Sequence, residues 1–228
     1  MAQTMKRILS SAVVLFFLLA LAHAANPPPE GWRTVSPRDE IRPAFSFEPR
    51  GGPNHAGSLV VTHDRRDGLD GWFEKSFAVS GGDYYRFHVV RKTRHVEVPR
   101  RAALVRVVWQ DEAGRLVSAD IPESQVKELG HVPSAEPEYP ADGATDARGW
   151  TTVAGVYRAP AKARRATVEL HLQWAPSGRV EWSEVQFEPT TPTPPTSSDC
   201  RRCWRRRIAP SPMPTKSCCR SSIAPSTM

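Results

Sequence analysis

Cysteine is absent from most of this 228-residue chain, because Cys200, Cys203, Cys218 and Cys219 all lie near its C-terminal end. A core held together by disulfide bonds is therefore excluded for the preceding residues, and so is a catalytic cysteine there. The sequence also lacks repeated apolar runs long enough to cross a bilayer. Together these absences exclude a disulfide-built scaffold and a multi-pass membrane protein.

Positive charge is not in excess in the central part of the chain. The whole sequence has 31 Lys and Arg against 24 Asp and Glu, a formal net charge of +7. Residues 1–24 and 191–228 hold nine of the basic residues and one of the acidic ones, which leaves 22 basic and 23 acidic residues in 25–190. Nucleic-acid-binding domains carry a clear basic excess, so the central part is expected to have no nucleic-acid partner.

The N-terminus has the three parts of a secretory signal peptide over residues 1–24. Lys6 and Arg7 form a positively charged start, residues 12–22 are apolar, and Ala24 ends a small-residue cleavage pattern. The apolar run is short for a membrane span, so we expect no stable span after cleavage. The protein is therefore predicted to be exported to the periplasm or the cell exterior. The alternative is that residues 1–24 stay uncleaved as an anchor helix. Residues 25–43 form an N-terminal segment before the first predicted strand.

Residues 189–228 are rich first in proline and then in arginine, cysteine and serine. Proline fixes φ and donates no backbone hydrogen bond, so the segment is predicted to be an extended linker followed by a disordered tail. Cys200 and Cys203 also have the spacing of a zinc or redox pair, and the arginines could attract an anionic partner. The tail lacks the flanking pattern of such sites, so an unstructured tail is the favoured interpretation.

Apolar residues recur at every second position through much of residues 44–188, which is typical of β-strands. Four apolar residues of one predicted strand should face the core: Val168, Leu170, Leu172 and Trp174. Near the end of the region this alternation changes phase between Trp182 and Val185, and a β-bulge near Ser183 or Glu184 would explain the change.

About eight such strands, with no repeated strand and helix unit, predict an all-β fold: a two-sheet antiparallel sandwich of jelly-roll type with a disordered C-terminal tail. Residues 119–148 are polar and contain four prolines and two glycines. This stretch is predicted to be a long loop, either functional or simply solvated. Its acidic part, residues 136–140, would cover one edge of a cleft in the functional case.

Two sets of outward-facing side chains are candidate ligand-binding residues: Tyr84, Arg86 and His88 on one predicted strand, and Glu169, His171 and Gln173 on another. Sugar rings present apolar C–H faces rimmed by hydroxyl groups, so aromatic planes beside hydrogen-bonding side chains suit a polysaccharide ligand. If the two strands belong to one sheet, these side chains form a single platform. The alternative is two ordinary solvated strand faces. Three tryptophans are instead predicted to pack in the core: Trp109, Trp150 and Trp174.

Metal and catalytic chemistry have few candidates. Glu48 and Glu184 are candidate ligands of a structural Ca2+, because hard cations take oxygen ligands; no other cofactor is predicted. Pairs such as Glu169 with His171 share one strand face, yet nothing in the sequence places a nucleophile or a substrate beside them. We therefore expect no enzymatic activity.

The order of strands and turns resembles carbohydrate-binding-module-like jelly rolls of the galactose-binding-like kind. The resemblance is carried by four stretches: 81–87 (GGDYYRF), 150–160 (WTTVAGVYRAP), 166–172 (ATVELHL) and 178–185 (GRVEWSEV). Glu184 stands where that family commonly has an aspartate. The resemblance implies a non-catalytic module whose partner is a polysaccharide; the alternative is a structural domain that packs on a partner protein domain and binds no sugar.

More narrowly, residues 31–188, including 39–43 (DEIRP), resemble the N-terminal sandwich that precedes some exported carbon-nitrogen hydrolases of the nitrilase superfamily. That family's activity requires a Glu, Lys and Cys triad on a separate domain, and no position here matches the triad. The resemblance therefore implies an accessory module without its catalytic domain. We expect a truncated or frameshifted chain, a hypothesis that the other reading frames of the downstream DNA would test.

Overall fold

A computed structural model describes residues 26–192, which form ten strands in two antiparallel sheets. The four-stranded sheet runs in the order β1 (Arg33–Val35), β4 (Asp70–Ala78), β9 (Arg165–Gln173) and β6 (Val105–Gln110). The six-stranded sheet runs in the order β2 (Ala44–Glu48), β3 (Ser58–Thr62), β10 (Arg179–Thr190), β5 (Tyr84–Arg94), β8 (Thr151–Arg158) and β7 (Ala141–Thr145). The chain crosses between the sheets at every step except those from β2 to β3 and from β7 to β8, as in a jelly roll. The predicted all-β sandwich is confirmed.

Between residues 26 and 192, helical structure is limited to short connections. A 3-10 turn spans Asp39–Ile41, helix α1 spans Pro99–Ala102, and helix α2 spans Glu123–Leu129. Gly130 ends α2 in the left-handed region, with φ 74°, where a glycine has no Cβ to clash. No helix within residues 26–192 is long and apolar enough to span a membrane.

The core lies between the two sheets. It is built from the side chains that face inward as successive residues of each strand alternate between the two sides of its sheet. Its largest fully buried side chains include Trp109, Trp182, Phe73 and Phe87. Aromatic rings also contact each other in the core, where Tyr85 and Phe187 of the neighbouring strands β5 and β10 stack with centroids 5.3 Å apart. Burying aromatic side chains of this size contributes much of a domain's hydrophobic stabilisation.

Strand β9 shows the predicted alternation along most of its length. Val168, Leu170 and Leu172 are fully buried, as expected. Trp174 is not: its side chain is 66% exposed, so the prediction that it packs in the core is wrong. The reason is its backbone, which has φ 52° and so breaks the extended conformation one residue after β9 ends.

The predicted bulge in the last strand is confirmed. The pairing of β10 with β5 shifts between Ser183 and Gln186, and Glu184 has φ 57°. In a regular strand, residues separated by an odd number of positions face opposite sides of the sheet. Because of the extra residue in the bulge, Trp182 and Phe187 both face the core.

The sandwich extends beyond the predicted bounds of 44–188 at both ends. Strand β1 lies in the segment 25–43 and pairs with β4. Strand β10 continues through Pro189, which lies opposite Tyr85, although proline there was expected to end the sheet. Proline fits because β3 pairs with β10 only as far as Trp182, so the later residues of β10 have a neighbour on one side only. The predicted signal peptide and residues 193–228 of the predicted tail lie outside the described residues.

The stretch predicted as the long loop 119–148 contains α2 and β7. Its residues also add to both sheets: Glu138 pairs with Val107 at the free edge of β6, and Ala141 pairs with Ala154 of β8. The segment therefore runs from the edge of one sheet to the edge of the other. An ion pair holds the segment there, because the buried Arg91, whose side chain is only 4% exposed, binds the more exposed Asp142 at 2.8 Å.

Candidate functional site

The six residues predicted to bind a ligand lie on different sheets. Tyr84, Arg86 and His88 belong to β5 of the six-stranded sheet, whereas Glu169, His171 and Gln173 belong to β9 of the four-stranded sheet. Both sets alternate with buried core residues, so each faces away from the interior, on opposite sides of the sandwich. The condition for a single platform, that both strands belong to one sheet, is therefore not met. Strand periodicity fixes which side chains face outward, but it does not say which sheet a strand joins.

The set on β5 is loosely held. Arg86 is exposed, and its only side-chain hydrogen bond among the described residues reaches Thr190 Oγ1 at 3.5 Å, the limit of a hydrogen bond. His88 is half-buried, and its Nδ1 has no partner within the described residues. Nothing in this geometry orients the three side chains toward a common ligand.

The set on β9 belongs to a surface that we call the polar face, the outward surface of the four-stranded sheet. Its central residues come from three neighbouring strands: Trp72 and Glu74 of β4, Glu169, His171 and Gln173 of β9, and Arg106 of β6. The sheet register places Trp72 opposite His171 and Glu74 opposite Glu169. The same register places Arg106 opposite Glu169 on the other side of β9.

Glu169 is the centre of the hydrogen-bond network on the polar face. Arg106 donates to its Oε2 from Nε at 2.7 Å, and Nη2 of the same guanidinium lies 2.6 Å from that oxygen. His171 Nε2 lies 2.9 Å from the same atom. An ionised carboxylate can only accept, so His171 donates from Nε2 in this pair. Three donors on one buried oxygen fix all three side chains in place.

The pKa of Glu169 is set by opposing effects. Burial acts to raise it, but the hydrogen bond from His171 and the positive charge of Arg106 outweigh burial, so the pKa lies below its usual 4.5. Glu169 is therefore ionised at neutral pH and has no proton to give as a general acid.

An aromatic ring stands beside this network. The indole of Trp72 stacks on the His171 imidazole, with ring centroids 4.6 Å apart and an interplanar angle of 25°. Trp72 Nε1 donates to Glu74 Oε2 at 2.9 Å, and Glu74 also pairs with Arg33 of β1. The indole is thus held on one ring face and at its nitrogen, and it remains partly exposed.

Further polar contacts extend the network along the sheet. Thr167 Oγ1 donates to Gln110 Oε1 at 2.8 Å and lies 2.9 Å from Ser76 Oγ. At the other end of β9, Gln173 Nε2 donates to the backbone oxygen of Arg101 at 3.0 Å. The polar face therefore carries ordered hydrogen-bonding groups across three adjacent strands.

Two polar atoms of the polar face have no hydrogen-bond partner within residues 26–192. They are Asp70 Oδ1 and His171 Nδ1, which lie 3.9 Å apart, both shielded from solvent. Asp70 is opposite Gln173 in the sheet, so its carboxylate adds negative charge near the end of β9.

Two other ionisable groups, Glu138 and Tyr157, lie where the segment after α2 runs between the edges of the two sheets. Burial raises the pKa of Glu138 above its usual value, against the opposing effect of the neighbouring Trp109 indole. Burial and the nearby Glu138 raise the pKa of Tyr157 to about 12. These groups lie away from the polar face, on the side where Glu138 pairs with β6.

The two predicted calcium ligands are engaged by other side chains. Glu48 Oε1 lies 2.5 Å from Arg179 Nη2, and Glu184 Oε1 accepts a hydrogen bond from Asn54 at 2.6 Å. Within residues 26–192 the structure assembles no group of three or more histidine, cysteine, aspartate or glutamate side chains suited to a metal ion. The residues present therefore do not fit the proposed structural Ca2+.

Sequence reasoning missed Trp72, Glu74 and Arg106 as site residues. Each lies on a strand distant in sequence from β9, and only the sheet register brings them beside Glu169 and His171. The one local signal was the alternation of side chains along β4. Trp72 and Glu74 lie on either side of the core residue Phe73 in the sequence, so both had to face outward.

No family model matches this chain, and no curated protein matches it. Several solved structures are similar in fold. The enzymatically active domain of bacteriophage CBA120 tailspike protein 4 matches with a TM-score of 0.49 and 14% identity, over 71% of this chain and 20% of that one. The CBM22-1 and GH10 modules of Clostridium thermocellum xylanase 10B, complexed with xylohexaose, match with a TM-score of 0.47 and 15% identity. That match covers 73% of this chain and 27% of the xylanase chain.

Isolated carbohydrate-binding modules are also similar. The CBM22-1 xylan-binding domain from Paenibacillus barcinonensis matches with a TM-score of 0.42 and 11% identity, over 74% of this chain and 91% of that one. This chain spans about a fifth of the tailspike domain and about a quarter of the xylanase modules. At these identities and scores the matches carry no functional argument, so the case for a function rests on the side chains of the polar face.

Proposed function

We propose that this protein is a non-catalytic carbohydrate-binding module that holds a glycan on the polar face. The observation that carries the proposal is a partly exposed indole, Trp72, fixed beside a network centred on Glu169 on the outward surface of a sheet. An indole plane offers apolar area to the C–H face of a sugar, and the guanidinium groups of Arg33 and Arg106, which are 75% and 34% exposed, offer hydrogen-bond donors to its hydroxyl groups.

Preorganisation favours binding by this surface. Trp72, His171 and Glu169 are already held by one another, so a ligand would not have to order them. Ordering flexible side chains otherwise reduces the affinity of an interface. The outward surface of the other sheet lacks this property at Arg86 and His88, which are the residues predicted to bind there.

A binding role suits the polar face better than catalysis. Glu169 is ionised, and Arg106 and His171 hold its Oε2, so it is not a proton donor. Glycosidases need a second carboxyl group with a distinct protonation state on the other side of the scissile bond. Glu74, the nearest carboxylate in the register, is itself bound by Trp72 and Arg33.

Export and an accessory role for a hydrolase remain part of the proposal. The signal-peptide pattern of residues 1–24 supports export to the periplasm or the cell exterior. N-terminal sequencing of the secreted product is expected to begin at Ala25, and a retained Met1 would overturn the cleavage.

Affinity electrophoresis through gels that contain neutral or acidic polysaccharides tests the binding function. We expect at least one polysaccharide to retard the wild-type protein and Trp72→Ala to abolish that retardation, because the indole supplies the stacking surface. Tyr84→Ala is the matched control, since it removes an aromatic side chain from the outward face of the other sheet.

Two results would contradict the proposal. One is retardation that survives Trp72→Ala but is lost in Tyr84→Ala, which would place the ligand on the six-stranded sheet. The other is indifference of the wild-type protein to every polysaccharide, which would favour a structural domain that packs on a partner protein.

A further inference from the structure

A cavity lies on the side of the sandwich opposite the segment 119–148. Strands β1 and β2 are the edge strands of their sheets on that side. Residues of both strands line the cavity, which has a volume of about 360 Å³. Sites for small molecules have volumes of about 300–1,000 Å³, so this cavity suits a ligand of one or two rings.

Most of the cavity wall is apolar and firmly packed. Phe45 and Phe73 meet edge to face, with ring centroids 5.2 Å apart and an interplanar angle of 82°. Pro43 lies beside them, and a Cβ at Gly71 would be only 2.6 Å from Pro43 and 2.8 Å from the Phe45 ring. Close packing against this glycine therefore fixes Pro43 and Phe45 before any ligand binds.

The cavity leaves one inward-facing aromatic ring partly uncovered. Phe45 lies opposite Val61 in the sheet register, so both face the same side. Val61 is fully buried, whereas Phe45 is only half-buried. Protein interiors are close-packed and contain few voids larger than a water molecule. A gap of this size beside two phenyl rings therefore favours a binding site over a defect of packing.

One positive charge lines the cavity without a counter-charge. Arg42 is partly buried, and its guanidinium lies over the Phe45 ring, 5.1 Å from the centroid. Its Nη2 donates to Thr34 Oγ1 at 2.6 Å and to the Thr34 backbone oxygen at 3.4 Å. Within residues 26–192 the guanidinium forms no ion pair, and Nε and Nη1 donate to no atom. No other described residue of the lining is ionisable, so the cavity favours an anion.

Charge and polarity together select a carboxylate on an aromatic ring. One guanidinium balances the single charge of a carboxylate, whereas a phosphate dianion would keep part of its charge unpaired. A sugar would turn hydroxyl groups toward Phe45, Phe73 and Pro43, whose side chains have no donor or acceptor for them. A planar aromatic ring instead makes apolar contacts with these side chains.

We propose that this cavity binds a small aromatic carboxylate, with the carboxylate at Arg42 and the ring against Phe45. The site is separate from the polar face. Thr34 lies opposite the core residue Phe73 in the register, so Thr34 and the cavity beside it are on the inner side of the four-stranded sheet. This binding activity goes beyond the proposed glycan binding and does not depend on it.

Isothermal titration calorimetry of the purified protein with four probes tests the proposal. Benzoate has the ring and the charge, and benzamide is its uncharged analogue of similar shape. Acetate has the carboxylate without the ring, and glucuronate has the carboxylate on a sugar. Two variants are also titrated with benzoate. Arg42→Met removes the charge, and Arg38→Met is the matched control, because Arg38 is an exposed arginine of the same segment and does not line the cavity.

We expect benzoate to bind at least tenfold more tightly than the other three probes, because only benzoate combines a charged hydrogen bond with apolar contacts. Arg42→Met should lose at least tenfold in benzoate affinity, and Arg38→Met should match the wild-type protein. In NMR spectra of the complex, nuclear Overhauser effects should connect the benzoate ring protons with the rings of Phe45 and Phe73.

Four results would overturn the inference: no benzoate binding, equal affinity for benzoate and benzamide, tighter binding of glucuronate, or full benzoate affinity in Arg42→Met. Urea denaturation checks that each variant is folded, since Arg42 also holds Thr34 of β1. If Arg42→Met does not fold, the comparison of benzoate with benzamide on the wild-type protein still decides. None of these results bears on glycan binding, which Trp72→Ala tests separately.

Discussion

Replacing Glu169 by glutamine removes one charge from the centre of the polar face and keeps the size of the side chain. Glu169 is only 10% exposed and accepts hydrogen bonds from Arg106 and His171 on one oxygen. Its glutamine replacement cannot offer a carboxylate to both donors, and Arg106 would lose its counter-charge. We therefore expect Glu169→Gln to destabilise the domain.

The size of the effect follows from those two contacts. Hydrogen bonds to charged groups contribute about 1.5–3 kcal/mol each. The Arg106 side chain is 34% exposed, so water replaces part of what it loses and the contribution is discounted. A decrease of about 2 kcal/mol in the free energy of unfolding is expected, which for a domain of this size lowers Tm by about 4–8 °C.

Urea denaturation at pH 7, followed by tryptophan fluorescence, measures this decrease. Glu188→Gln is the matched control, since Glu188 is an exposed carboxylate on the outward face of the other sheet, and its stability should stay within about 0.5 kcal/mol of wild type. The difference between wild type and Glu169→Gln should shrink as the pH falls below 4.5, through the lowered pKa of Glu169. A decrease of less than about 0.5 kcal/mol at pH 7 would refute the reasoning.

The remaining predictions concern groups away from Glu169. Asp142→Ala should lower the free energy of unfolding by about 3 kcal/mol in urea denaturation, because it leaves the buried Arg91 guanidinium without its counter-charge. Adding Arg91→Met to the Asp142→Ala variant should restore most of that loss. If the double variant is no more stable than Asp142→Ala, the ion-pair explanation is contradicted. Burial lowers the pKa of His63, so the wild-type protein should lose stability as the pH falls below 6.5; His63→Gln should show a smaller loss, and parallel pH profiles would count against this cause. Ultraviolet titration should show one phenol ionising near pH 12, and Tyr157→Phe should lack that step.

The fold could be predicted from the sequence wherever apolar and polar residues alternated along a strand. Val168, Leu170 and Leu172 face the core as their spacing predicted, and the phase change after Trp182 located the bulge. These features depend on neighbouring residues of a single strand, where a side-chain period of two leaves little choice.

The site was accessible only in part, for two physical reasons. Sheet partners are set by long-range packing, so the sequence could not show that His88 and His171 lie on different sheets or that Trp72 lies beside His171. Local backbone geometry also overrode periodicity at Trp174, whose left-handed φ moved an apolar side chain from the expected core to the surface.

The most direct measurement of where a glycan binds is a two-dimensional NMR titration of the labelled protein with the polysaccharide fragment that retards it. Binding on the polar face predicts that the shifted signals come from the Trp72 indole N–H and from amides of β4, β9 and β6. Shifts confined to β5 and β8, or no shifts at saturating glycan, would contradict the account.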